Sequence, residues 1–192
     1  MRRCIWIACW TIGIACAAVA ADGPDTGWFG PAQDAADEIR AATGADVALL
    51  AAGMMFQKHE GPDLSKLFKY PWDTIVVSQL TGAQLRAALS RSISLYPSPN
   101  NGFLQLSGVE VTFKKSAPAD ERIVSVTIDG QALDDDAKYD VAMPIRLARG
   151  GYGYLKIWDK KSIKRTIDGL TLENLLKGKT ATKQAPRWKA VD

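Results

Sequence analysis

Histidine and cysteine are scarce in this chain of 192 residues: it has one histidine, His59, and three cysteines. A binuclear metal-dependent hydrolase draws several imidazoles and carboxylates around its ions, and a structural zinc site usually takes four Cys or His ligands. Neither centre can be assembled from this composition. Also absent are Gly-x-Ser-x-Gly, a Ser-His or Cys-His pair at motif spacing, and the Gly-x-x-x-x-Gly-Lys loop that cradles phosphate. His59 stands between Lys58 and Glu60 in a polar stretch and reads as an exposed loop residue, without the partners that a metal or general-base role requires. No cofactor is expected.

An excess of one charge is missing as well, with 24 Lys+Arg against 21 Asp+Glu. A nucleic-acid binder carries a clear basic surplus, so that class is set aside. The cysteines belong to one segment. Met1-Arg2-Arg3 is a short basic start, the stretch from Cys4 to Cys16 is almost wholly apolar, and Ala18-Val19-Ala20 precedes Ala21-Asp22 with the small residues that a signal peptidase reads. Residues 1–20 are therefore expected to be a secretory signal. An uncleaved anchor is the alternative, but the apolar run is short for a span. Cleavage after Ala20 would remove Cys4, Cys9 and Cys16, leave a periplasmic or secreted chain without thiols or a stable membrane span, and bring the charge close to balance.

What is present reads as one globular domain, 47% hydrophobic and 23% charged. Residues 21–31 are rich in Gly and Pro and suit an extended entry segment. Ala32, Ala35, Ala36, Ile39 and Ala42 recur at helical spacing before Gly44. The run Val47 to Ala52 suits a strand buried on both faces. Asp63 to Phe68 predicts a one- or two-turn helix and Thr74 to Leu80 a β-branched strand. From Thr81, a good N-cap, Leu85, Ala88, Leu89, Ser92, Ile93 and Tyr96 share a helix face until Pro97. The period then becomes two in Val109, Val111 and Phe113, in Ile123 to Ile128 before the turn signal Asp129-Gly130, and in Tyr139, Val141 and Met143. Thr171 to Lys177 suits a short helix. The expected architecture is a single α+β domain with two or three helices packed on a mixed sheet, over residues 32–158. A basic extension, residues 159–192, follows, and its charges suit a solvated face or contact with an anionic surface.

Two further clusters carry chemistry. Asp134-Asp135-Asp136 offers adjacent carboxylates without the ligand pattern of a calcium loop, and reads as a solvated turn. Arg149-Gly150-Gly151-Tyr152-Gly153-Tyr154 combines glycines, which allow close approach, with cationic and aromatic groups. With Arg146 it could hold an anionic ring-bearing ligand by ion pairing and stacking, or be a structural turn.

In order along the chain come Ala35-Ala36-Asp37 with Ile39-Arg40, Gly44-Ala45-Asp46-Val47-Ala48, Pro71 through Gln79-Leu80-Thr81-Gly82 with Leu85, Gly102-Phe103-Leu104-Gln105-Leu106-Ser107-Gly108, Tyr139-Asp140-Val141-Ala142 and Gly150-Gly151-Tyr152-Gly153-Tyr154. This string resembles the C-terminal domain of the secreted 5'-nucleotidases, the family of periplasmic UDP-sugar hydrolases, over roughly residues 30–158. In that family a separate N-terminal domain carries two metals and the hydrolysis, while the C-terminal domain clamps the nucleotide base between aromatics. The family's phosphate-contacting Asn-x-Gly-x-x-Arg corresponds here to Ala51-Ala52-Gly53-Met54-Met55-Phe56. Its first base-stacking Phe falls at Ile75, beside a one-residue deletion after Trp72; the second falls near Arg146, and the acid of its Gly-Gly-Asp-Gly loop is Tyr152. The resemblance thus implies a catalytically incomplete recognition domain. Arg146, Arg149, Tyr152 and Tyr154, with Trp72 or Phe56 opposite, are the candidate ligand-binding residues for a small anionic or nucleotide-like ligand. A binding or accessory domain, the substrate-binding half of a hydrolase whose metallophosphoesterase is a separate chain, and a structural interaction module with a vestigial pocket all remain open.

Overall fold

A computed structural model of the protein describes residues 17–18, 23–59, 61–182 and 185–192. The expected signal segment lies outside the described residues apart from Ala17–Ala18, a two-residue strand β1. Helix α1 spans Gly30–Thr43, opens with Pro31 in its first turn and closes on Gly44, whose φ of +65° is left-handed. Strand β2, Val47–Ala51, is buried along its whole length, as its unbroken apolar run requires. Asp63 caps a single 3-10 turn, Leu64–Leu67, through a bond from the Ser65 amide. Strand β3 is Thr74–Thr81 and helix α2 is Gly82–Ile93. Between β3 and α2, Thr81 and Gln84 form a reciprocal capping box, the Gln84 backbone N–H donating to the Thr81 hydroxyl and the Thr81 backbone N–H donating to the Gln84 side-chain Oε1.

The later strands are β4 Leu104–Ser107, β5 Val109–Lys114, β6 Ile123–Ile128, β7 Gln131–Ala132 and β8 Lys138–Pro144. One helical turn, α3 Ile145–Ala148, leads into the Gly-rich loop. Strand β9 Ile163–Thr171, helix α4 Leu172–Leu176 and strand β10 Trp188–Val191 complete the chain. Among the described residues two five-stranded sheets result, in the orders β4-β2-β8-β3-β9 and β1-β10-β5-β6-β7. Each contains one parallel pair, β2 with β8 and β10 with β5, among antiparallel ones. The α+β class with mixed pairing is therefore present, but distributed over two sheets.

Helix α1 packs on β2, β4 and β8, and α2 touches both sheets through β3 and β6. Strand β4 lies at a sheet edge yet is wholly buried. The entry segment covers it: the Gln105 amide donates to the carbonyls of Pro24 and Gly27, and its oxygen accepts from Phe29 N–H. Satisfying both ends of a buried amide in this way removes the penalty of taking it out of water.

The described residues of the segment 159–192 are built into the domain. Strand β9 extends the first sheet and β10 the second. Much of the basic charge is spent internally: Lys164 pairs with Asp140 at 3.0 Å, Arg165 donates to the Thr43 carbonyl at 2.6 Å, Lys179 pairs with Glu38 at 3.1 Å, and Arg187 meets Asp37 at 2.7 Å. Trp188 is buried against Phe103 and Phe113 and donates its indole N–H to Leu104. Among the described residues no helix is long and apolar enough to cross a membrane.

Candidate functional site

The β3–β8 register decides which loops meet. Ile75 pairs with Pro144, so Asp73, just before β3, comes opposite Arg146, just after β8. The Arg146 Nε–H donates to Asp73 Oδ1 at 2.8 Å, and the guanidinium carbon lies 4.3 Å from the centre of the Tyr70 ring. Trp72 meets Tyr70 edge to face at 6.0 Å and is 61% exposed. Tyr152 completes the group from the Gly-rich loop. Its ring lies against Gly53, where a Cβ would come within 2.7 Å of Tyr152 Cδ1. Tyr152 also has φ +57°, a left-handed conformation that a bulky side chain adopts only when its surroundings enforce it.

Part of that enforcement comes from α2. Arg91 donates to the carbonyls of Gly153 at 2.7 Å and Tyr152 at 3.2 Å. At Gly153, φ is +92° and a Cβ would collide with the Arg91 guanidinium, so only glycine admits this clamp.

The electrostatics of the pair are uneven. Asp73 is only 4% exposed and its Oδ2 has no hydrogen-bond partner among the described residues. Burial pushes its carboxyl above the ordinary aspartate value, although the bond and charge of Arg146 pull the other way. Arg146 holds its proton more tightly because of Asp73. The Arg146 side chain is 47% exposed, and no hydrogen bond among the described residues uses its terminal nitrogens. The pair is thus locally neutral, with donors left over. Burial likewise raises the Tyr152 phenol, helped by Tyr70 and Asp73 and opposed by Arg146.

The structure separates the six candidate residues. Arg146, Tyr152 and Trp72 meet in one group. Arg149, the residue after α3, is exposed and has no recorded side-chain partner among the described residues. Phe56 is 49% exposed but lines a separate groove of about 540 Å³ with Gln57, Lys58 and Lys66. Tyr154 does not face a cleft: it is fully buried, stacked on Trp158 with centroids 4.7 Å apart, and its hydroxyl donates to the Gly102 carbonyl. Desolvation pushes that phenol far above its usual range. Its place two residues after Tyr152, with a buried hydroxyl partner, makes it the anchor of the loop. Ile75, where the resemblance puts a base-stacking ring, is also in the core, and Trp72 is the aromatic that this loop exposes.

Tyr70 and Asp73 were not among the sequence candidates. Tyr70-Pro71-Trp72-Asp73 before a strand carried a signal, a dense aromatic turn with an acid, but its partner 73 residues away depends on strand order. His59 is half-buried rather than exposed, and among the described residues neither ring nitrogen has a hydrogen-bond partner. Asp134-Asp135-Asp136 is solvent-exposed, Asp135 pairing with Arg86, and no group of three or more His, Cys, Asp or Glu among the described residues could hold a metal ion. A groove of about 550 Å³ beside the end of α1 has Asp37, Arg40 and Ser107 in its wall. These polar groups are committed, Asp37 to Ser107 and Arg187, and Arg40 to Asp129 and the Asp46 carbonyl.

The fold and this edge define a two-sheet α+β domain with an aromatic and guanidinium cluster at one end. The chain belongs to the family described as "5'-nucleotidase, C-terminal domain", which matches residues 29–158. It is 34% identical over 134 residues to a 5'-nucleotidase-related protein of Glossina morsitans morsitans, covering 61% of this chain and 23% of that protein. Its fold matches a 5'-nucleotidase precursor from Thermus thermophilus with a TM-score of 0.64 at 23% identity, over 85% of this chain and 35% of that one. The sulfate thiohydrolase SoxB of the same species superposes with a TM-score of 0.63 at 18% identity, over 85% of this chain and 32% of that one. The chain therefore spans about a quarter to a third of these proteins.

Proposed function

We propose that the protein is an exported ligand-recognition domain, without a hydrolytic centre of its own, that takes a flat ring bearing an anionic group against Trp72, Tyr70, Arg146 and Tyr152. The observation that carries this reading is the Arg146 guanidinium stacked on Tyr70 and paired with buried Asp73, which leaves its terminal donors and the exposed Trp72 beside it. A planar, oriented cation next to an exposed ring suits a ligand with both features. Tyr154 acts only through the loop that it anchors.

A thermal-shift screen against nucleotides, nucleosides, sugar phosphates and sulfur oxyanions, followed by calorimetry, is the test. Stabilisation by a ring-bearing anion that Trp72→Ala and Arg146→Lys both weaken is the expected result. A screen without hits would return the domain to the structural reading. The purified chain should not hydrolyse nucleoside monophosphates or UDP-sugars with or without divalent metal, since one imidazole cannot hold two catalytic ions; turnover that follows the protein through every column would overturn this. Export predicts a product starting at or near Ala21, and an intact mass that retains Cys16 would refute it.

The second reading, which rests on the kinship with 5'-nucleotidase C-terminal domains over residues 29–158, is that the domain supplies substrate recognition to a metallophosphoesterase on a separate chain. Copurification with such an enzyme, and a lower KM when the two are mixed, would support it.

A further inference from the structure

The loop that presents Tyr70 and Trp72 is held from outside the residues that match the family. A helix leaves its first amides without intrahelical acceptors, and α4 directs each of the first three to a specific partner. The Leu172 N–H donates to the Asp73 carbonyl at 3.1 Å and the Glu173 N–H to the Pro71 carbonyl at 2.7 Å. The third, of Asn174, is taken by the Thr171 cap hydroxyl at 3.1 Å. Within the loop, Asp73 N–H closes a turn on the Tyr70 carbonyl at 3.0 Å. The carbonyls on either side of Trp72 are thus both fixed by one helix end.

That helix is itself anchored on both sides. Thr171 pairs with Thr74 at the end of β9. Leu172 and Leu176 are fully buried, with α4 packed against α1 and the 3-10 turn Leu64–Leu67. Beyond α4 the Lys179 carbonyl accepts from Leu64 N–H at 2.9 Å, and Asp34 of α1 accepts from both the amide and the hydroxyl of Thr182 at 2.8 Å.

We propose that the C-terminal extension is a positioning element for the recognition cluster: α4 sets the direction of Trp72 by holding the carbonyls of Pro71 and Asp73, and so tunes the affinity of the cluster for its ring-bearing ligand. The ligand half of this statement rests on the recognition reading above, whereas the positioning half does not. Glu173 is exposed and its side chain forms no hydrogen bond or ion pair among the described residues, so its amide can be removed separately from its side chain. Glu173→Pro deletes one loop-holding N–H in the first helical turn, where proline is tolerated. Glu173→Ala keeps that N–H and should be silent.

The experiment uses 5-fluorotryptophan-labelled protein, with the Trp72 resonance assigned by its loss in Trp72→Phe. Glu173→Pro should move and narrow the Trp72 resonance while those of Trp158 and Trp188 stay in place. It should also weaken the best ligand of the screen by roughly twofold to tenfold, as expected for one hydrogen bond. An unchanged Trp72 resonance in folded Glu173→Pro would overturn the proposal, as would an equal shift in Glu173→Ala. Should Glu173→Pro not fold, amide exchange in the unaltered protein decides: protected Leu172 and Glu173 amides support the proposal, and exchange as fast as that of an open helix end overturns it. A shifted Trp72 resonance in a protein that binds nothing in the screen would leave the positioning role standing and refute the recognition reading alone.

Discussion

Asp73 and Arg146 show how one buried oxygen changes the meaning of a neighbouring cation. From the sequence, Arg146 is a candidate cation for an anionic ligand; in the structure it is also the partner of a carboxylate that is 4% exposed. Arg146→Ala should therefore destabilise the protein by stranding that carboxylate. The pH dependence follows from the raised carboxyl. Loss of the guanidinium raises it further, so the destabilisation is full above the variant's folded-state value and shrinks as pH falls through that value toward the parent's own raised one. Urea melts should show a larger deficit at pH 8 than at pH 5, and adding Asp73→Asn should flatten the difference. Equal deficits at both pH values would refute the stranded-charge account. Trp72→Ala should behave in the opposite way. Being largely exposed, Trp72 contributes within about 0.5 kcal/mol to stability. An aromatic ligand stacked on it should lose roughly twofold to tenfold in affinity, which calorimetry on a folded variant would read.

At the scale of elements, α2 connects β3 to the candidate site. The Thr81–Gln84 box fixes its start and Arg91, in its last turn, clamps the loop that carries Tyr152. Thr81→Ala should cost about 1 kcal/mol in a denaturant melt, the usual value of a lost N-cap. Gly153→Ala should cost more, because a methyl group would meet the Arg91 guanidinium at a backbone angle that L-residues rarely adopt. A Gly153→Ala variant as stable as the parent would show that Arg91 does not hold the loop. Helix starts, the αL cap at Gly44 and the turn at Asp129-Gly130 were legible because their signals are local. Strands β4, β9 and β10 were not. Leu104–Ser107 is too short to show a period and is buried on both faces by other parts of the chain. Ile163–Thr171 is mostly exposed, bulged against β3, and its lysine and arginine read as a solvated run.

At the scale of the whole molecule the C-terminal residues close both sheets. Trp188→Ala removes a buried indole from between Phe103 and Phe113 and should cost about 3–5 kcal/mol, typical of a large-to-small change in a core. Ending the chain after Trp158 deletes β9, α4 and β10 together and should leave a protein without a cooperative thermal transition. A sharp melt of that shortened chain by calorimetry would show that the two sheets do not need their added strands.

The amino-acid sequence by itself determined the α+β class, the principal helices, the buried β2 and β3 runs, the glycine-dependent loop and the kinship with 5'-nucleotidase C-terminal domains. All of these rest on spacing within a few residues or on motifs in order. Only the tertiary structure decided that there are two sheets, that Tyr154 and Ile75 face inward, and that Asp73 meets Arg146. Those outcomes depend on which strands pair and in what register. A side chain's exposure is set by what the distant chain lays over it, and a hydrogen bond across 73 residues exists only once β3 and β8 have been brought side by side.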